Sequence, residues 1–468
     1  MMIDRDDMRI LGTIRTTDAA EGWRADGVSI DTRKDTAGRL YFSIKGGRFD
    51  GHDFAEQALA RGAAGIVIDG SHAPMAQRLK SKGAVFSVDD TVASLGELAR
   101  VIRNRYRPTV VGITGSNGKT TTREMLAALL EGTYVVGKTA GNLNNLIGLP
   151  VSILNMGRDS RVWVLELGTS RYGELAALTR MAAPDVGVLT NIGSAHLEFF
   201  ESLEGVASAK AELFASMPEG GVAVTNADDP LTVRAAAAYR GTVLTAGFSP
   251  GASLRVLSSS ATDAGMDFTV AYEGEERRLS MAVSGRHYLQ DMAMAILCAR
   301  HLEVGWERIA AACGRFRPMT GRGRVLSYKN GVTVIDDAYN ANPDSMRQGL
   351  LSAIDRYGAG RIVAVLGDML ELGGHADREH FELGRFLAQH GVRRFVLMGS
   401  RAGRTREGVL SAGYRDVSVK LAKDAGGAVH ELAALAGAGT VIYVKGSRSM
   451  RLDEVVEAYD STMRVHDA

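Results

Sequence analysis

A lysine and a run of threonines follow two glycines in GSNGKTTT, residues 115–122, directly after the apolar run TVVGIT and directly before REMLAALLEG. An apolar strand, a glycine turn and a helix start, in that order, surround a phosphate with backbone N–H groups and the positive end of a helix dipole. In such a loop Lys119 reaches the β- and γ-phosphates and the Thr120 hydroxyl holds Mg²⁺. The candidate nucleotide-binding residues are therefore Thr114, Gly115, Ser116, Asn117, Gly118, Lys119, Thr120 and Thr121. The usual spacing of this loop puts its first glycine at position 113. Ile113 stands there and Gly112 lies one place earlier. The strand before it and the amphipathic helix after it, with Met125, Leu126, Leu129 and Leu130 on one stripe, speak against a chance match. ATP or GTP with Mg²⁺ is the expectation.

A Mg²⁺ ion needs oxygen or nitrogen donors nearby, and in open α/β sheets such groups gather at the carboxyl ends of strands. Three residues qualify. Glu166 ends the strand RVWVLELG, His196 follows the strand DVGVLTNIG, and Lys210 lies in LEGVASAKAELF. Each alone has an ordinary reading, as a solvated glutamate, a structural histidine and a snorkelling lysine. Lys210 raises the sharpest question, because it shares a helical stripe with Leu203, Val206, Ala207, Leu213 and Phe214, and an ammonium there is costly. A buried, neutral amine can add carbon dioxide to form a carbamate, an anionic metal ligand. Spacing alone favours snorkelling.

These groups need a layered scaffold. Strand-like Val/Ile/Leu runs alternate with helical patterns through the whole chain, the sign of α/β layers with parallel strands buried on both faces. At 468 residues the chain has room for several domains, and three blocks suggest themselves: 1–104, 105–318 and 319–468. The net charge of +1 argues against nucleic acid or a membrane surface as a partner. Cys298 and Cys313 have neither disulfide nor metal spacing, and the charged N-terminus MMIDRDDMRI has no apolar signal core. A cytoplasmic protein, monomeric by default, is the expectation. A GTPase switch would need a guanine-reading NKxD segment, and none is present.

Together GITGSNGKTTT, LELGTS, TNIGSAHLEFF and EGVASAKAELF resemble, in order and spacing, the ATP-dependent Mur ligases of peptidoglycan synthesis. The resemblance runs over nearly the whole chain. VSIDTRKDTAGRLYFSIKGGRFDGHDFAEQALARGAAGIVID resembles the family's uridine-nucleotide-binding domain. DDAYNANPDSM and VLGDMLELG resemble the branch whose amine substrate is D-alanyl-D-alanine, whereas the DYAHTP-like and DNPR segments of the neighbouring branch are missing. That N-terminal domain also separates the chain from folylpolyglutamate synthetases.

The resemblance implies a small mixed α/β N-terminal domain, a central P-loop parallel-sheet ATPase domain and a Rossmann-like C-terminal domain that acts as a lid. It implies ATP, two Mg²⁺ ions, a UDP-N-acetylmuramoyl-tripeptide and D-alanyl-D-alanine, joined through an acyl phosphate. Lys119, His196 and Lys210 become the catalytic set. Thr120 and Glu166 would hold one metal, and His196 with a carbamylated Lys210 the other, which tips that lysine from snorkelling to carbamate. Asp337, Tyr339, Asn340 and Asn342 would meet the nucleotide, with Arg322 on the same face. Lys445 and Arg448 would touch phosphate or substrate unless they are simply solvated. Ser29, Thr32 and Arg33 would contact the uridine diphosphate. In SGRHYLQDMAMA, His287 matches the adenine-side helix, but Tyr288 and Asp291 stand where the family has asparagines.

Overall fold

The structure, a computed structural model, describes residues 1–10, 14–17 and 19–467. Among them are three main sheets and one small ribbon, Met2–Asp4 against Arg24–Asp26. The first sheet has five strands in the order Ile14–Thr17, Ala84–Val88, Gly65–Asp69, Leu40–Phe42 and Val28–Ser29. It is parallel except for Ile14–Thr17. Alternate residues serve its two faces, as the two-residue period of a strand requires. Leu40, Phe42, Val67 and Phe86 pack on one side, and Tyr41, Ile66, Ile68 and Val85 on the other.

The central sheet has nine strands. From Val136–Lys138 through Val162–Glu166, Thr109–Thr114, Val186–Leu189, Val222–Asn226 and Thr242–Gly247 all neighbours are parallel. Leu254–Thr262 still joins Thr242–Gly247 in parallel, and the sheet turns antiparallel beyond it. Leu254–Thr262, Gly265–Tyr272 and Glu275–Met281 form antiparallel hairpins at one edge, with one face packed and the other solvated. Their sequences, polar in LRVLSSSAT and charged in EERRLSM, lack the continuous apolar runs of doubly buried strands, as one-sided burial allows.

Register decides where the chemistry lies. Glu166 pairs with Ile113, and Leu189 with Thr114, so three adjacent parallel strands end at one level. The connections after them, which carry the glycine turn, the LGTS segment and His196, open on the same side. Thr109–Thr114 is flanked by strands reached in opposite directions, the switch point where open α/β sheets form their crevice.

The helix Lys119–Leu130 buries Met125, Leu126, Leu129 and Leu130 as its stripe predicts. The helix Leu203–Ser216 starts at Ser202, whose hydroxyl accepts from the Gly205 N–H. Val206, Ala207, Leu213 and Phe214 are buried, but Leu203, the first residue of the helix, is exposed. The third sheet has six strands, Arg324–Ser327, Thr333–Asp336, Val441–Lys445, Ile362–Leu366, Arg394–Met398 and Ser418–Ala422, parallel apart from the first pair. Among the described residues no helix is long and apolar enough to cross a membrane.

Candidate active-site cleft

A cleft of about 730 Å³ opens above those strand ends, between the central sheet and the third. The glycine turn forms its floor. Gly118 has φ +80 and Asp291 stands so close that a Cβ at Gly118 would come within 2.9 Å of its carboxyl carbon, so this position needs glycine. The loop is pinned by Asn191, whose carbonyl accepts from Ser116 N–H and whose side-chain oxygen accepts from Asn117 N–H, both at 2.9 Å. Lys119 Nζ donates to the Gly115 carbonyl at 2.7 Å, and desolvation lowers the pKa of its ammonium.

Glu166 is 2% exposed, which removes the solvated reading. Its Oε2 accepts from Thr120 Oγ1 at 2.9 Å and from the Arg123 guanidinium at 3.1 Å, and its Oε1 accepts from Asn144 Nδ2 at 2.8 Å. Arg123 is itself 1% exposed and also donates to Glu124 and to the Gly141 carbonyl. Neither Arg123 nor Asn144 was expected from the sequence. An arginine in the first turns of a helix reads as a solvated charge. The one sequence signal for Asn144 was the polar, glycine-containing run AGNLNN between two apolar segments.

His196 lines the same cleft; Lys210, 2% exposed, is not among the lining residues but is close enough to feel the charge of Lys119. The snorkelling reading of Lys210 is thereby overturned. Burial, with the positive charge of Lys119 added, drives the pKa of its amine well down.

The third sheet brings the DDAYNANP segment onto the phosphate loop. Asn342 caps the helix Pro343–Tyr357 through a reciprocal bond pair with Ser345, and its Nδ2 donates to Asn117 Oδ1 at 2.7 Å. The Arg322 guanidinium lies 4.1 Å from the centre of the Tyr339 ring and reaches Thr120 Oγ1 at 3.5 Å. Asp337 and Asn340 also line the cleft, but Asp337 is engaged by its own domain. It accepts from Tyr443 Oη and from Lys445 Nζ, each at 2.6 Å. Lys445 is 4% exposed, so it is not a solvated charge; Arg448 is exposed and paired with Asp453, but it also lines the cleft, 5.5 Å from the Tyr339 ring centre. His287 hydrogen-bonds Ser352 at 3.2 Å, and desolvation pushes its pKa down to about 4, leaving a neutral ring. Tyr288 does not replace an asparagine's polar reach, because its hydroxyl donates to the Arg322 carbonyl at 2.7 Å.

Family models described as "Mur ligase family, catalytic domain", "Mur ligase middle domain" and "Mur ligase, glutamate ligase domain" match residues 24–134, 113–299 and 321–448. The UDP-N-acetylmuramoyl-tripeptide–D-alanyl-D-alanine ligase of Bacillus subtilis is 35% identical, with 92% of each chain covered. The chain belongs to the Mur ligase family. The Escherichia coli protein of the same name is 33% identical to this Mur ligase over 92% of it and 93% of the relative. A crystal structure of MurF from Acinetobacter baumannii superimposes with a TM-score of 0.87 at 26% identity, covering 98% and 99% of the two chains. The MurF ligase of Thermotoga maritima, in complex with ADP, gives 0.81 at 29% identity, covering 94% and 99%.

The donors of this Mur ligase suit Mg²⁺. The Thr120 hydroxyl and Glu166 carboxylate are hard oxygen ligands already within 2.9 Å of each other, and Arg123 and Asn144 fix the carboxylate's plane. Losing Arg123 would leave a buried carboxylate without its ion partner. Arg123→Met is expected to destabilise the protein by about 3 kcal/mol, and adding Glu166→Gln to it should recover part of that. Denaturant midpoints of the two single variants and the double variant measure it.

The uridine-side candidates lie apart from the cleft, in and after Val28–Ser29 of the first sheet. Ser29 and Thr32 are buried, with the Thr32 hydroxyl bonded to Gln57 at 2.9 Å. Arg33 is exposed and forks onto both Asp31 oxygens, and that pairing pulls the Asp31 carboxyl down to about 2.

Proposed function

We propose that this Mur ligase joins the terminal carboxylate of a UDP-N-acetylmuramoyl-tripeptide to the amine of D-alanyl-D-alanine, with ATP converted to ADP and phosphate, in peptidoglycan precursor synthesis. The observation that carries the reading is the direct bond between the two halves of the cleft. Asn342, from the motif that marks the D-alanyl-D-alanine branch, stands on Asn117 of the phosphate loop. The names of the relatives agree with it.

In the proposed reaction the substrate carboxylate attacks the γ-phosphate to give an acyl phosphate, which the amine then opens with loss of phosphate. Lys119 and the N–H groups at the start of its helix stabilise the charge that develops on the transferring group. Thr120 and Glu166 would hold one Mg²⁺ and His196 with Lys210 a second, and the bound ions would supply charge neutralisation. Arg322 and Asn342 bring the third domain onto the nucleotide and exclude water from the intermediate. In this reading the nucleophile is the substrate's own carboxylate, so no Ser/His/Asp or Cys/His set is called for. Ser29, Thr32 and Arg33 are assigned to the uridine diphosphate, so residues 1–104 hold the substrate, 105–318 the nucleotide, and 319–468 close over both. Phosphorylated nucleotide substrates support a cytoplasmic location.

Lys210 is proposed to act as a carbamate. Its neutral amine adds carbon dioxide and releases a proton, which turns a buried amine beside Lys119 into an anion that attracts that cation. The wider assignment is tested by phosphate release, expected only when the tripeptide nucleotide and D-alanyl-D-alanine are both present. Phosphate release with glutamate and a folate instead would reject it.

A further inference from the structure

The motif VLGDMLELG takes no part in the chemistry above, yet one of its residues touches His196, which lines the cleft. Glu371 Oε2 lies 2.6 Å from His196 Nδ1. The backbone reinforces the contact, because Glu198 N–H donates to the Glu371 carbonyl at 3.1 Å. Gly373 packs so tightly there that a Cβ would sit 3.2 Å from the Glu198 Cα. On the other flank of the same loop, Asp344 Oδ2 accepts from Ser194 N–H at 2.7 Å. Residues 194–198 of the central domain are thus gripped from two sides by the third. Both contact residues carry strain. His196 has φ +56 and Glu371 φ +60, conformations that non-glycine side chains hold only when their surroundings impose them.

The 2.6 Å contact is a close charged pairing and not an aligned hydrogen bond, since Nδ1 is buried without a hydrogen-bond partner; a carboxylate held against one ring nitrogen leaves the other to face a metal, as in oriented metal-binding imidazoles. We infer that Glu371 is a positioning residue for His196 and that Asp344 and Glu371 together clasp its loop, so that the second metal site is complete only when the third domain is docked. The inference rests on the reading of His196 as a metal ligand. It gives the closing domain a task besides excluding water: docking sets the metal capacity of the central domain.

The test is a Mn²⁺ titration of the full chain with a non-hydrolysable ATP analogue, with free Mn²⁺ read by electron paramagnetic resonance. Glu371→Ala is expected to weaken the second Mn²⁺ about 10- to 100-fold and leave the first unchanged. Glu371→Gln, which keeps an oxygen beside Nδ1 but not the charge, should recover part of that loss, and His196→Ala should lose the second ion. In ligase assays Glu371→Ala should raise the Mg²⁺ needed for half-maximal rate far more than it lowers the rate at saturating Mg²⁺. A purely structural contact would not separate those two quantities. Wild-type Mn²⁺ binding by Glu371→Ala alongside loss of an ion in His196→Ala overturns the clasp alone. Wild-type binding by both overturns the ligand reading of His196 as well.

Discussion

Lys119→Met lowers the rate of phosphate release by about 10³-fold and leaves the fold intact. The first half follows from what the ammonium is positioned to do. Removing one well-placed donor to a developing anion costs on the order of 10²- to 10³-fold, and Lys119 adds a full charge to its hydrogen bonds. The second half follows from its present environment. The ammonium is desolvated and its partners are neutral carbonyls of Gly115 and Ser116, while another buried amine, Lys210, feels its charge. Methionine fills similar volume without desolvation cost, so the thermal midpoint is expected to stay level or rise. Steady-state phosphate release and a melting curve check both parts. A rate within tenfold of wild type would mean that another cation, with Arg322 the nearest candidate, supplies the charge.

Why Lys119 was legible in the sequence and Arg123 was not is a matter of range. The phosphate loop is local: strand, glycines, lysine and helix lie within about two dozen residues, so type and spacing suffice. Glu166 and His196 were found because strand ends of a parallel sheet share one level, a rule that needs topology but no side-chain geometry. Arg123 is seen only once Glu166, 43 residues away, folds against it. Asp337 and Lys445 are 108 residues apart, and no local pattern announces that one engages the other. Glu371 is the extreme case. Its motif identified a branch of the family, but its contact with His196 exists only across a domain boundary. The antiparallel edge of the central sheet escaped for a different reason, since its strands bury one face only and their alternation is diluted by charge.

The lysine on the inside of Leu203–Ser216 gives the last expectation. Lys210→Ala should reduce ligase activity by at least about 10²-fold, because an anionic ligand that stabilises charge at the metal contributes several kcal/mol. A shorter side chain alone does not identify the carbamate, since a buried neutral amine would also be lost. Rescue separates the two. A small carboxylate is about the size of the side-chain end that alanine removes, so acetate or propionate should restore part of the activity to Lys210→Ala and none to Lys119→Met. In the wild-type enzyme, carbon dioxide removed by degassing should lower the rate, and bicarbonate should return it. A structural amine predicts neither effect. Full activity in Lys210→Ala would show that the helix buries its lysine for packing alone. In that case the stability of the variant should rise, because alanine carries no amine to desolvate beside Lys119.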